Sequence, residues 1–217
     1  MSIVVAIDGP AGSGKGTITG IVSKKLGLVN IDTGAMYRCV ALATIQNNIT
    51  LEEKDKIIEL AKNIKIEFDS DGKVYLDGVD VSKRIREKDV SSIVSPLSSI
   101  VEVREEMVNQ QRALAKGLDI IMEGRDITTV VFPDADYKFY LDASFEERAK
   151  RRFLQNQEQG IEMSLEEIKE NIEKRDYNDM HKEVGALKRT EDQIYIDSTN
   201  LTIDEVADIV IQTIKEK

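Results

Sequence analysis

Residues 3–26 place the tightest limit on how this chain can fold. An apolar run, "IVVAID" (3–8), leads into the glycine-rich stretch "GPAGSGKGT" (9–17), and a helix is expected over roughly residues 15–26. Glycines at a strand-to-helix turn leave backbone N–H groups uncovered, and the helix N-terminus adds a favourable dipole, so the unit is suited to holding phosphate. Gly9, Gly14 and Lys15 fit the spacing G-x-x-x-x-G-K-[ST], but Gly16 takes the hydroxyl position and Thr17 follows one residue late. Pro10, Ala11, Gly12 and Ser13 complete the loop. An ordinary glycine-rich turn accounts for the glycines but not for a lysine and threonine at this spacing.

Such a loop needs a sheet around it. Four further runs, "LVNID" (28–32), "DIIME" (119–123), "YKFYLD" (137–142) and "QIYID" (193–197), alternate with helical stretches. That alternation predicts an α/β fold with a five-stranded, mainly parallel sheet flanked by helices. The runs end in Asp8, Asp32, Glu123, Asp142 and Asp197. Ligands gather at the carboxyl ends of parallel strands, so several of these acids are expected to rim one cleft.

Helix starts are marked by capping-box spacing at Thr50…Glu53, Ser144…Glu147, Ser164…Glu167 and Thr202…Glu205. A helix near 97–115 would place Leu97, Ile100, Val101, Met107, Val108 and Ala115 on one stripe. The last helix would bury Ile203, Val206, Ala207, Val210 and Ile214. Residues 64–81 read as three short antiparallel strands joined by "DSDG" and "DG" turns, and 153–182 as a polar helical excursion around Gly160.

A length of 217 residues suits one domain. The net charge of −10 argues against nucleic acid as the main partner, yet leaves a small phosphorylated ligand open, because a few cations can focus the field in a cleft. No apolar run is long enough for a membrane span, and no basic leader precedes the first strand. The lone Cys39 cannot form an internal disulfide. A cytoplasmic monomer is the expectation.

Three stretches are candidates for a second substrate. In "DTGAMYR" (32–38), Thr33 and Gly34 offer a hydroxyl and N–H groups, with Tyr37 and Arg38 one turn on; a routine helix cap followed by a surface arginine fits as well. In "EGRDITTVVFPDA" (123–135), Arg125 is suited to grip phosphate, and Asp126 to accept from the exocyclic amine of cytosine while rejecting uracil; a plain salt bridge is the alternative. Arg104 falls on the inward stripe of its helix, so it either reaches the edge or faces a polar cleft. Arg148, Arg151 and Arg152 share a helix face, as a solvated patch or as arginines closing over phosphates. The only histidine, His181, is expected at the surface.

The chain resembles the bacterial cytidylate kinases, nucleoside monophosphate kinases, essentially from end to end. The resemblance is carried by "IDGPAGSGKGT", "DTGAMYR", the small insert, "EGRD" with "TVVFPDA", "LDAS" with "EER", and "IDSTNLTIDEV". The glycine and threonine after Lys15 are similar to the loop of adenylate kinase and its relatives. The resemblance implies one P-loop kinase domain over 1–217, with a monophosphate-binding insert at about 34–105 and a lid at about 153–182. It also implies transfer of the ATP γ-phosphoryl group to CMP or dCMP with Mg²⁺. On this basis Gly9–Thr17 would hold the ATP phosphates, and Lys15, Arg125 and Arg151 would be catalytic. Thr33, Tyr37 and Arg38 would line the monophosphate pocket, with Arg38 and Arg125 on the acceptor phosphate. Ser95, Arg104 and Asp126 would read cytosine, and Arg175 and Asp179 would lie near the ribose and phosphates. Thr17 is the candidate hydroxyl near the metal, and no set of metal ligands is assigned.

Two departures from the resemblance stand out. Thr128 occupies a position where glycine is usual, so a less free backbone is expected there. Lys182 occupies an arginine position, which keeps the charge but loses the bidentate fork, and "GAL" (185–187) replaces the common Ala-Pro-Leu. The rival readings are a kinase for another small metabolite on the same scaffold, and a nucleotide-binding switch with no second substrate.

Overall fold

The computed structural model describes residues 2–69, 72–158 and 160–216. Its centre is a parallel sheet of β1 (Val4–Asp8), β2 (Val29–Asp32), β6 (Ile120–Gly124), β7 (Tyr137–Asp142) and β8 (Ile194–Asp197), in the order β2-β6-β1-β7-β8. β1 is the middle strand, paired with β6 from Val4↔Ile120 to Asp8↔Gly124 and with β7 on its other edge. Its chain leaves for β2, beyond β6, so the strand order reverses at β1 and opens a crevice above its carboxyl end.

Helices cover both faces because the strands are apolar on both. One face packs under α1 (Lys15–Leu26) and α8 (Ile203–Lys215), with Val5, Ile7, Ile121 and Phe139 meeting Ile18, Val22, Val206 and Val210. Ile203, expected on the buried stripe of α8, is 54% exposed at the first turn, and Ile211 is buried instead. The opposite face carries the larger core, under α2 (Thr33–Gln46), α3 (Lys54–Asn63), α4 (Lys88–Leu97) and α5 (Val101–Leu114). The expected single helix over 97–115 is therefore two elements. The Ser98 and Ser99 hydroxyls both donate to the Ser95 carbonyl and close α4, and Ile100 is extended (φ −75, ψ 118) before α5 begins.

The insert is antiparallel as expected: β3 (Ile66–Phe68), β4 (Val74–Leu76) and β5 (Val79–Asp80). The "DG" turn is described; the "DSDG" connection falls partly on residues 70 and 71, outside the described residues. Both capping boxes at Ser164 and Thr202 form completely. The other two do not. Helix α3 starts at Lys54 with Glu53 as its cap, and the Glu53 carboxylate divides between the Thr50 N–H and Lys56. At Ser144 only the hydroxyl half is made, because Glu147 turns to accept from Arg151.

Most of the expected excursion falls in a helical hairpin of α6 (Phe145–Glu158) and α7 (Leu165–Met180). It is less polar than expected: Ala149, Ile168 and Ile172 form a small buried seam with Phe145, Phe153, Met163 and Leu165. No helix among the described residues is long and apolar enough to cross a membrane.

Candidate active site

The phosphate loop lies where the sheet order reverses. Gly9 sits so close to the end of β7 that a Cβ there would overlap the Leu141 carbonyl oxygen, which requires glycine. No side chain caps the N-terminus of α1, so its first amides point into the crevice. Thr17 is exposed in that first turn. The Lys15 ammonium is buried and folded back, donating to the Gly9 and Pro10 carbonyls at 2.8 Å each and lying 4.0 Å from Glu123. Burial, with Arg125 beside it, lowers its pKa to about 7, and Glu123 only partly offsets this. Burial raises the Glu123 carboxyl in turn.

Cations converge opposite the loop. Arg38 comes from α2, Arg125 from the end of β6, Arg152 from α6 and Arg175 from α7. Burial lowers Arg175 to about 10, with Arg125 its strongest cationic neighbour and Arg38 and Arg152 adding to the effect. Arg38 and Arg152 are also lowered, first by burial and then by other arginines, Arg86 included. Arg125 is the exception: its Nε donates to Asp179 at 2.7 Å, which raises its pKa against the effect of burial. Crowded cations that depress one another's pKa values form a site with unmet demand for a polyanion.

Beside this cluster lies the pair expected to read a base. Arg104 is 4% exposed, which decides between its two readings: it points inward, donates to Asp126, and its guanidinium carbon lies 5.9 Å from the centre of the Tyr37 ring. Lys182 donates to Asp179 at 3.0 Å and to the Ser98 hydroxyl at 3.1 Å, and Asn178 donates to the Ser95 hydroxyl at 3.4 Å. Asp179 is held below the ordinary carboxylate range by Arg125 and Lys182 although burial opposes it. Gly185, at φ +68, lies against the Arg104–Asp126 pair, where a Cβ would overlap the guanidinium. The glycine of "GAL" thus lets the chain close over the pair.

The remaining expectations divide. Thr33 donates to the Glu123 carbonyl at 2.7 Å, which ties α2 to the end of β6, and Asp32 caps α2 by accepting from the Ala35 N–H. Of the strand-end acids, Asp32 and Glu123 lie beside Arg38, whereas Asp8 is fully buried and accepts from Ile127 and Thr128. Asp142 and Asp197 instead accept from residues of their own turns, Ala143 and Thr199. The three arginines of α6 do not act as one set. Arg148 is buried between the Ala11 and Ala143 carbonyls and Asp176, tying the phosphate loop to α7. Arg151 braces the loop, donating to the Ser13 carbonyl at 3.4 Å and to Ser198. Arg152 alone faces the arginine cluster. His181 is exposed at the end of α7, stacked on Tyr177. Thr128 does not have a positive φ, and its hydroxyl is bonded to Asp8. Arg86, 3.5 Å from Asp32, was not foreseen, because nothing in "KRIREK" marks one arginine out as facing a site.

A strand, glycine loop and helix at the switch point of a parallel sheet, with a lysine inside the loop and arginines opposite, define a P-loop phosphotransferase. The chain belongs to the cytidylate kinase family, whose profile, described as Cytidylate kinase, matches residues 5–216. It is 48% identical over 213 residues to the cytidylate kinase of Caldicellulosiruptor saccharolyticus, covering 97% of this chain and 94% of that one. It is 45% identical over 216 residues to that of Caldanaerobacter subterraneus subsp. tengcongensis, covering 100% and 96%. Among solved structures, an uncharacterized protein from Eubacterium ventriosum shares the fold across 100% of both chains, with a TM-score of 0.55 and 12% identity. The chain is accordingly a kinase.

Proposed function

We propose that the enzyme transfers the γ-phosphoryl group of ATP directly to the phosphate of CMP or dCMP. The observation that carries this reading is the cation cluster of buried Lys15 with Arg38, Arg125 and Arg175, beside the carboxylate–guanidinium pair of Asp126 and Arg104. Two polyanions and an amino-bearing base would satisfy both at once.

Transfer between phosphates needs positioning and charge neutralisation and no covalent intermediate. The acceptor oxygen is already ionised, which suits a site with no histidine. The loop amides and Lys15 would hold the ATP phosphates, and Arg38 and Arg125 the acceptor phosphate. Arg152 and Arg175 would face the transferring group, with Arg151 bracing the loop. Ser95, Arg104 and Asp126 would read cytosine, while Asp179 and Lys182 would lie by the ribose and phosphate. Thr17 and Glu123 offer hard oxygen donors beside Lys15, the chemistry that Mg²⁺ takes, and they would hold that ion with ATP. When bound, it would offset phosphate charge. The α6–α7 hairpin would act as a lid, excluding water as the competing acceptor. The test is phosphorus NMR of ATP, Mg²⁺ and CMP with the enzyme. Matched growth of ADP and CDP supports the reading, and ADP with inorganic phosphate overturns it.

Two predictions arise here. Lys15, with a pKa of about 7 in the free enzyme, is mostly neutral near pH ~8 and regains its proton when phosphates surround it. ATP binding at pH ~8 is therefore expected to take up a proton, and the uptake should fade toward pH ~6, where Lys15 is already charged. Calorimetry in buffers of different ionisation enthalpy measures this; an unchanged uptake in Lys15→Met would assign the proton elsewhere. Lys182→Arg is expected to lower the KM for CMP by about threefold to tenfold through a bidentate grip. An unchanged KM would mean that position 182 serves Asp179 and Ser98 alone.

A further inference from the structure

We infer that Thr128 is a positioning residue for the phosphoryl acceptor: with Asp8 and Gln193 it forms a buried latch that fixes the Arg125–Asp126 turn against the strand that launches the phosphate loop. This rests on the reading above, in which Arg125 and Asp126 meet the acceptor.

The ladder between β1 and β6 ends at Asp8↔Gly124, one residue before Arg125. Beyond that last rung no strand pairing holds the chain, and the Asp8 side chain takes over. Its carboxylate, fully buried, accepts from the Ile127 N–H at 2.8 Å, the Thr128 N–H at 2.9 Å and the Thr128 hydroxyl at 2.6 Å. The two amides open a single π-turn, Ile127–Val131, a form common at functional sites. Arg112 of α5 holds the far end of this turn through the Val130 and Val131 carbonyls. The near end is held at its backbone by Asp8, while the Arg125 and Asp126 side chains pair with Asp179 and Arg104.

The hydroxyl of Thr128 makes the latch directional. Gln193 donates to it, and the Gln193 carbonyl oxygen accepts from the Thr190 N–H at 2.7 Å. A hydroxyl has one proton to give, and with Gln193 on its acceptor side that proton goes to Asp8. The relay therefore runs from the segment before β8, through Thr128, to β1. All three side chains are buried, at 0%, 2% and 7% exposure, so an unmet partner would be costly. β1 is locked by ladders on both edges, so loss of the latch moves the turn and not the loop.

The test compares Thr128→Val, which keeps the shape and removes the hydroxyl, with Thr128→Ser, which keeps the hydroxyl, and with Gln193→Met, which cuts the outer link. Steady-state kinetics are run against CMP and ATP, and hydrogen exchange is followed across residues 125–131. For Thr128→Val the KM for CMP is expected to rise about tenfold or more, as a misplaced acceptor demands, with the KM for ATP within about twofold of wild type. Exchange at the Ile127 and Thr128 amides should quicken, Thr128→Ser should restore both measures, and Gln193→Met should fall between. Unchanged amide exchange, or equal rises in both KM values, overturns the latch. A wild type that forms no CDP defeats the functional reading instead, and exchange, which needs no substrate, still decides the latch.

Discussion

Lys15→Ala is expected to lower kcat by about a thousandfold or more while calorimetric affinity for CMP stays within about twofold, as for loss of a preorganised donor to transition-state charge. The lysine leaves the loop at the N-terminus of α1, and its ammonium is held by the Gly9 and Pro10 carbonyls inside the phosphate cradle. Those bonds keep it in place without neutralising it, and burial beside Arg125 leaves it short of negative charge. On the proposed reading ATP phosphates would meet that shortage, most of all as charge shifts in the transition state. On the proposed division of the site, Arg38 and Arg125 hold the acceptor phosphate, so CMP should bind without Lys15. Equal loss of CMP affinity would place Lys15 with the acceptor and contradict the division of the site.

Asp126→Asn is expected to reduce the preference for CMP over UMP by about tenfold to a hundredfold, measured as the ratio of kcat/KM values. A carboxylate accepts from the cytosine amine and repels the uracil carbonyl, whereas an amide can serve either base. The substitution also leaves the buried Arg104 guanidinium facing a neutral group, and it should cost about 3 kcal/mol of stability, read as a lower Tm. The ratio is unaffected by the fraction of enzyme that is folded, so the two effects separate. An unchanged ratio would assign base reading to another group, Ser95 or Arg104.

Local patterns in the sequence carried far into this structure. The first helix was expected over 15–26 and is found at Lys15–Leu26, because the loop glycines and Gly27 bracket it. The five strands and the antiparallel insert follow from β-branched runs and turn residues. The break between α4 and α5 was hidden because the apolar stripe continues through it: Leu97, Ile100, Val103 and Met107 are all buried on either side of a bend made by serine hydroxyls.

Long-range partners were the least legible. Arg148 shares a helical face with Arg151 and Arg152, yet the Ala11 carbonyl lies 137 residues away in sequence and Asp176 lies 28 away, and these decide its role. Thr128 drew attention only as a residue in an unusual place. That its hydroxyl serves Asp8 and meets Gln193, 65 residues on, has no local pattern. Gly185 is similar: its use is to let one loop approach a salt bridge formed by two other elements.

The central claim is that this P-loop enzyme selects a cytosine monophosphate as its acceptor. The most direct measurement is ADP release from ATP and Mg²⁺ with CMP, dCMP, UMP, AMP, GMP or no acceptor, supplied one at a time. Turnover with CMP and dCMP well above every other condition is the predicted result. Turnover that is equal across the monophosphates, or no greater with them than without, would contradict it.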